Sequence, residues 1–570
     1  MTSRLRLTPI PRLQGLLLSL LLSLSLTLQA APERHAIATA HPIATAAAEQ
    51  ILEAGGNAFD AAIAASATLG VVEPYGSGLG GGGFYLLRLV EDDGSVRHLF
   101  VDARETAPLK AHPDLYRDED GDVQREPSIN GALAAAIPGL PAALVHLAEH
   151  YGTLPLRQSL APAITAAEHG FAVTTRYQAL GGFRLEAMRS DPETARLFLR
   201  DNEIPAEGTL IKQPELAQTL RLLAANGRAG FYQGPVAEQL LKGVQAAGGI
   251  WQQADFDQYQ IIEREPVSFM LGDTNVISSP LPSAGGIALA QILKGQQYLP
   301  AVDYASTAWT HQLVELMRRS YRDRAVLLGD GDFVEVPIEL LLSADYAAQL
   351  AQQIDLEQAT PSASLGEPRL FSEGDNTTHF SLLDAQGNGV AATLSINLPF
   401  GAAMTIPGTG VILNNEMDDF AADIHGVNEY GLAGGKVNAV EAGKRPLSSM
   451  TPTLLDSPDQ LMLIGTPGGS RIITMVLLGI EAARQGANAE EIVTRPRFHH
   501  QYLPDRIQHE SDTFSADERK ALEALGHDLH EVGRDYGDMQ LVIWHKGNGT
   551  LEAASDPRGV GESRVEAAAP

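Results

Sequence analysis

Apolar residues along the chain fall into two patterns, one repeating every three to four positions and one forming short unbroken runs. The stretches His41 to Ala54 and Ala58 to Val71 are Ala-rich and helix-like, and the turn formers Gly55, Gly56 and Asn57 separate them. Phe84 to Val90 reads as a strand. From about residue 140 to 360 the spacing predicts mainly helix, with segments Pro141 to Tyr151, Leu160 to His169, Pro235 to Ala247 and Thr307 to Leu328. After about residue 365 strands and tight turns are expected to dominate. Thr377 to Leu383, the turn Asp384 to Gly389, and Val390 to Asn397 read as strand, turn and strand. No repeat of fixed period is visible.

The first thirty residues stand apart. Arg4, Arg6 and Arg12 precede a leucine-rich run from Gly15 to Leu28 that closes on Gln29, Ala30 and Ala31, the pattern of a secretory signal peptide over 1–30. The run falls short of the roughly 18 to 20 apolar residues a bilayer span requires. A periplasmic or secreted protein, with no membrane association after signal removal, is the expectation. The sequence contains no cysteine, which excludes disulfides, thiolate metal sites and a cysteine nucleophile. The net charge of −29 becomes −32 once the three arginines of 1–30 are removed, which argues against nucleic acid as a partner.

Three motifs invite chemistry that their context does not support. Gly76, Gly78 and Gly81 form a G-x-G-x-x-G, but the segment after them is a strand and not the helix that would aim amides at a phosphate. These glycines are expected to pack closely against other backbone. Asp118 to Asp122 resembles part of a calcium loop without its remaining ligands, so a solvated hairpin turn is expected. The pair His499-His500 has no further ligand spacing around it and is assigned to packing or hydrogen bonding.

Folding Thr377–Leu383 back on Val390–Asn397 would set Ser395 and Asn397 within one or two positions of Thr377, both on one face. A threonine in a strand is ordinarily only a strand residue. Its wider surroundings change that: Asn414-Asn415-Glu416-Met417-Asp418-Asp419, Tyr430-Gly431-Leu432-Ala433-Gly434-Gly435, Lys444-Arg445-Pro446-Leu447-Ser448-Ser449-Met450 and Gly465-Thr466-Pro467-Gly468-Gly469-Ser470-Arg471 follow in order. With Thr377-Thr378-His379 and Arg104 upstream, the chain resembles the γ-glutamyltransferases (γ-glutamyl transpeptidases) of the N-terminal nucleophile hydrolase superfamily across nearly all of its length past the signal.

That resemblance implies an α+β, four-layer αββα sandwich made of two subunits cut from one precursor, a large one over 31–376 and a small, catalytic one over 377–570. The cut falls between Asn376 and Thr377. By the same resemblance Thr377 would become the nucleophile and its freed α-amine the base; a threonine hydroxyl needs such a base, and no G-x-S-x-G triad signature is present. Ser395 would hydrogen-bond the nucleophile, and the amides of Gly468 and Gly469 would receive the oxyanion. Arg104, Ser448 and Ser449 would hold the substrate carboxylate, while Asn397, Glu416 and Asp419 would hold its ammonium. Tyr430 would belong to a lid. The implied substrates are glutathione and other γ-glutamyl compounds, with water, amino acids or peptides as acceptors, and neither a cofactor nor a metal is implied. A glutaryl-cephalosporin-type acylase is the rival within the superfamily, and a γ-glutamyl-peptide binding protein without turnover is the rival from another class.

Overall fold

A computed structural model describes residues 31–32, 34–366, 376–421 and 436–566. The signal segment and Tyr430 lie outside the described residues. In chain order the principal elements are β1 (Ala36–Thr39), α1 (Pro42–Glu53), α2 (Ala58–Val72), β2 (Gly82–Val90), β3 (Val96–Ala103), α3 (Leu140–His150), α4 (Ala161–His169), α5 (Thr175–Ser190) and α6 (Gly234–Ala246). They continue with β4 (Ile262–Arg264), β5 (Val267–Leu271), β6 (Thr274–Ser278), α7 (Gly285–Gln296), α8 (Thr307–Leu327), β7 (Thr378–Leu383) and β8 (Gly389–Ser395). The last are β9 (Thr453–Asp456), β10 (Gln460–Gly465), α9 (Ile472–Arg484), β11 (Gln540–His545), β12 (Thr550–Ser555) and β13 (Glu562–Val565).

The helices expected from periodicity form with ends shifted by one or two residues. Asn57 caps α2 through its Oδ1, which accepts from the amides of Phe59 and Asp60 at 3.0 Å each, and Asp60 accepts the Asn57 amide in return at 3.1 Å. Every residue of α2 is buried, so the helix shows no polar stripe.

Two antiparallel sheets carry the core. One runs β13-β1-β7-β8-β2-β3-β4 and the other β12-β11-β10-β9-β6-β5. Their strands touch face to face, β7 and β8 against β10 and β11. Alternation along β2 shows why its run looks continuously apolar: Tyr85 and Leu87 join the core with α1 and α2, whereas Phe84 and Leu86 join the core shared with the second sheet. Helices α7 and α9 lie against the second sheet.

One expectation requires correction, and two regions that keep their expected character hold an element of the other kind. The region read as mainly helical contains the β5–β6 hairpin, whose alternation (Val267, Phe269 and Leu271 buried, Ser268 and Met270 exposed) is only five residues long. The strand-rich region after 365 contains the 13-residue helix α9, whose residues Ile472 to Ala482 are all buried. Finally, β8 ends at Ser395, and Asn397 does not continue it on the same face: its φ is +71°, in the left-handed region, which turns its side chain toward the 414–416 segment. The glycine run behaves as expected. A Cβ on Gly81 or Gly82 would lie 2.1 Å from the Ser395 carbonyl oxygen or 2.3 Å from that of Ala103. Asp118 caps its own exposed turn by accepting from the Asp120 and Asp122 amides at 3.1 and 2.9 Å.

Candidate active site

Four neighbouring strands of the first sheet end together. Leu394 pairs with Thr378, which puts Ser395 opposite Thr377; Ser395 pairs in turn with Gly82, and Gly83 with Ala103. Thr377, Ser395 and Arg104 therefore meet at one end of one sheet, although 273 positions separate Arg104 from Thr377 in sequence. Thr377 is 5% exposed. The carbonyl of Asn376 accepts from Ser395 Oγ at 3.4 Å, and Ser395 Oγ accepts from the Asn397 amide at 2.8 Å. The Asn376 side chain donates to the Tyr75 carbonyl.

Arg104 sits in a buried nest of carboxylates. Its guanidinium donates to Glu416 Oε2 at 2.8 Å and to Asp419 Oδ2, and its Nε donates to the Pro446 carbonyl at 3.2 Å. Glu105 Oε2 lies 3.7 Å away. Burial works against the guanidinium charge, but Glu416, Asp419 and Glu105 outweigh it and raise its pKa further. Burial, and then the charge of Glu416, push the Glu105 carboxyl well above the usual carboxylate range. The sequence reading missed Glu105; its only signal was adjacency to Arg104.

Asn397 donates to the Asn415 carbonyl at 2.9 Å, while its own Oδ1 and Glu416 Oε1 are buried without a hydrogen-bond partner. Ser449 Oγ is likewise buried and unpartnered, whereas Ser448 Oγ accepts from the Met450 amide at 3.1 Å. Unsatisfied buried acceptors and hydroxyls are costly unless something binds them. Asn438 ties this wall together, donating to the Asp419 carbonyl at 2.7 Å and accepting from the Leu447 amide at 3.0 Å. Asn414 does the same beneath it, donating to the carbonyls of Gly80 and Ala136 at 2.6 and 2.7 Å. Neither role was legible locally.

Gly465, at the end of β10, packs against the ring of His379, two residues beyond Thr377. The loop to Gly468 and Gly469 leaves from there and enters α9, so these amides belong to a helix N-terminal approach. Gly468 has φ +141°. His379 bonds Thr393 Oγ1 at 2.8 Å and Ser381 Oγ at 3.2 Å, and burial lowers its pKa to about 3, so it is a neutral core residue.

The sequence over residues 44–565 matches the gamma-glutamyltranspeptidase family. The chain belongs to this family. It is 40% identical over 499 residues to a glutathione hydrolase proenzyme of Pseudomonas sp. (strain A14), covering 87% of this chain and 86% of that one. It is 37% identical over 530 residues to the Escherichia coli (strain K12) glutathione hydrolase proenzyme, covering 92% and 90%. A crystal structure of cephalosporin acylase from Bacillus halodurans superposes with TM-score 0.81 at 26% identity, covering 93% of this gamma-glutamyltranspeptidase-family chain and 95% of that one.

Elsewhere in this family member, His499 bonds Thr474 and Gln501 at 2.8 Å each, and His500 accepts from the Tyr502 amide at 3.2 Å. The pair is used in packing, as expected. His311, Glu315 and His527 bring three ligand-type atoms within 4.8 Å of one another. The two imidazoles already bond each other at 2.8 Å, and Arg318 and Arg319 hold Glu315 and place positive charge where a cation would sit. Among the described residues, no helix is long and apolar enough to cross a membrane.

Proposed function

We propose that the chain is exported, cuts itself between Asn376 and Thr377 into two subunits of an αββα sandwich, and then cleaves glutathione and other γ-glutamyl amides through a γ-glutamyl-Thr377 ester. Water, an amino acid or a peptide resolves the ester. The observation that carries this reading is the meeting of Thr377 and Ser395 with the buried Arg104–Glu416–Asp419 nest at one sheet end.

A free α-amine, with a pKa near 8, is a competent base at neutral pH, and the cut would supply one beside the Thr377 hydroxyl. Gly468 and Gly469 are the assigned oxyanion donors. Arg104, Ser448 and Ser449 are assigned to the substrate α-carboxylate, and Asn397, Glu416 and Asp419 to its α-ammonium. The unpartnered oxygens of Asn397 and Glu416 support the ammonium assignment, since an ammonium brings three donors. Tyr430 is assigned to the lid.

The acylase likeness keeps a glutaryl donor as the rival. A glutaryl group has no ammonium, so the acidic nest would be left unpaired. The mature protein is expected to turn over γ-glutamyl anilide at least about 10²-fold faster, in kcat/KM, than glutaryl anilide. Comparable rates on both would favour the acylase reading.

The oxyanion assignment has its own test. At Gly468 a Cβ would lie 2.6 Å from Met475 Cε, and a φ of +141° is strained for any other residue. Gly468→Ala keeps the amide N–H but must displace it, and is expected to lower kcat by up to about 10²- to 10³-fold, the usual effect of losing one oxyanion donor. Unchanged kcat in the processed variant would remove Gly468 from that role.

A further inference from the structure

The maturation reading leaves one group unexplained. Self-cleavage begins before any α-amine exists: Thr377 Oγ adds to the Asn376 carbonyl carbon, the C–N bond breaks, and the hydroxyl proton ends on the freed nitrogen. Water then splits the ester into an Asn376 carboxyl group and the Thr377 hydroxyl. The base that would serve the mature enzyme is absent from this first step, so neighbouring charges must favour the proton's passage to nitrogen.

On the side of the scissile peptide formed by the end of α2 lies Glu73, the residue that closes this helix and is 1% exposed. Its Oε1 accepts from the Tyr75 hydroxyl at 3.1 Å. The Tyr75 carbonyl accepts from the side chain of Asn376, the residue on the acyl side of the cut. Gly76 completes the wall: a Cβ there would lie 3.4 Å from Glu73 Oε2, 3.5 Å from the Thr377 carbonyl oxygen and 3.5 Å from Thr378 Cβ. Tyr75 therefore holds the Asn376 side of the bond to be cut and Gly76 lies against the Thr377 side, with the Glu73 carboxyl beside both Tyr75 and Gly76. The buried Thr378 Oγ1 faces the same carboxyl.

We propose that Glu73 is a positioning residue for self-cleavage: with Tyr75 and Gly76 it holds the Asn376–Thr377 peptide and presents a carboxylate to the nitrogen that the step releases. This rests on the reading that the chain matures before Thr377.

The charged groups around Glu73 leave its ionisation poised. Arg176 approaches from α5 but is shared with Asp538, whose Oδ2 is 3.7 Å from Arg176 Nε, and Asp556 lies behind them. Burial raises the Glu73 pKa, and Arg176, Thr378 and Tyr75 only partly restore it, leaving it at about 7. Burial also raises Asp538 well above the usual range, with Glu73 adding to that shift. Near neutral pH the Glu73 carboxyl thus passes from uncharged to charged.

The test follows the appearance of the two fragments of the full chain on denaturing gels from pH 5.5 to 8.5. The native sequence is expected to mature faster as pH rises through about 7. Glu73→Gln is expected to mature at least about 10-fold more slowly at pH 8 and to lose that rise, while any fragments it forms keep the native kcat. Tyr75→Phe keeps the carbonyl that holds Asn376 but withdraws a hydrogen bond from the carboxylate, so its profile should move to higher pH. A purely packing role would slow maturation without moving the profile. Native rate and profile in both variants, or slowing with the profile unmoved, would overturn the proposal. A native chain that stays uncut, like Thr377→Ala, would overturn the maturation reading along with it.

Discussion

Thr377→Ala is expected to leave a single uncut polypeptide with γ-glutamyl hydrolase activity reduced roughly 10⁴-fold or more, where the native sequence yields two fragments. In the proposed mechanism one substitution removes two functions, because the hydroxyl that opens the Asn376–Thr377 bond is also the one that accepts the substrate acyl group. Ser395 does not replace it. Its hydroxyl stands across the sheet, 3.4 Å from the Asn376 carbonyl oxygen as a donor, and it has no amine of its own to act as base. Thr377→Ser, which keeps the hydroxyl, should restore both fragments and part of the activity. Gel and anilide assays on the same preparations decide the matter. Full activity in an uncut native chain would refute the mechanism.

Arg104→Ala should be the second largest effect, and the structure changes its expected character. From sequence, Arg104 is a substrate-carboxylate ligand whose loss raises KM. In the structure it is 1% exposed and is the cation between Glu416 and Asp419, with Glu105 beside them. Removing one partner of a buried ion pair strands the other and commonly costs about 3–5 kcal/mol. We therefore expect lowered unfolding stability of about that size together with a raised KM. The stranded carboxylates can escape part of the penalty by taking up protons, so the stability loss should be greater at pH 8 than at pH 5. Denaturant titrations at the two pH values, with KM measured on the processed variant, test both halves. Native stability with raised KM would restore the simpler role. Arg104→Lys keeps the charge but loses the fork that reaches two carboxylates and the Pro446 carbonyl, so an intermediate result is expected.

The helices were legible where a local signal existed: Asn57 and Asp60 form a capping box that any isolated peptide could form in part, and the α1 and α2 boundaries fell within a residue or two. The strand, turn and strand at 377–397 were legible for the same reason. A five-residue alternation and an apolar run buried over eleven consecutive positions were not singled out, as with the β5–β6 hairpin and α9. The site residues were legible as a set because their motifs occur in family order. Their mutual contacts were not, since Arg104 and Glu416 are 312 positions apart and meet only because Arg104 follows β3 while the turn that carries Glu416 is held to Gly80 and Ile396 beside β2 and β8.

Sequence alone determined the chemistry on offer: no thiol, a threonine followed by the family's Thr-His, paired glycines, and the arginine and carboxylates suited to an amino acid headgroup. It determined the local pieces as well, because capping and turn formation depend on neighbours within a few residues. Only the tertiary structure decided that Arg104 is neutralised by Glu416 and Asp419, that Asn397 leaves its strand, and that Glu73 lies buried beside Tyr75, whose carbonyl holds the Asn376 side chain. The reason is physical: ionisation and hydrogen-bonding preference depend on burial and on charges within a few ångströms, and those neighbours come from chain segments hundreds of residues apart.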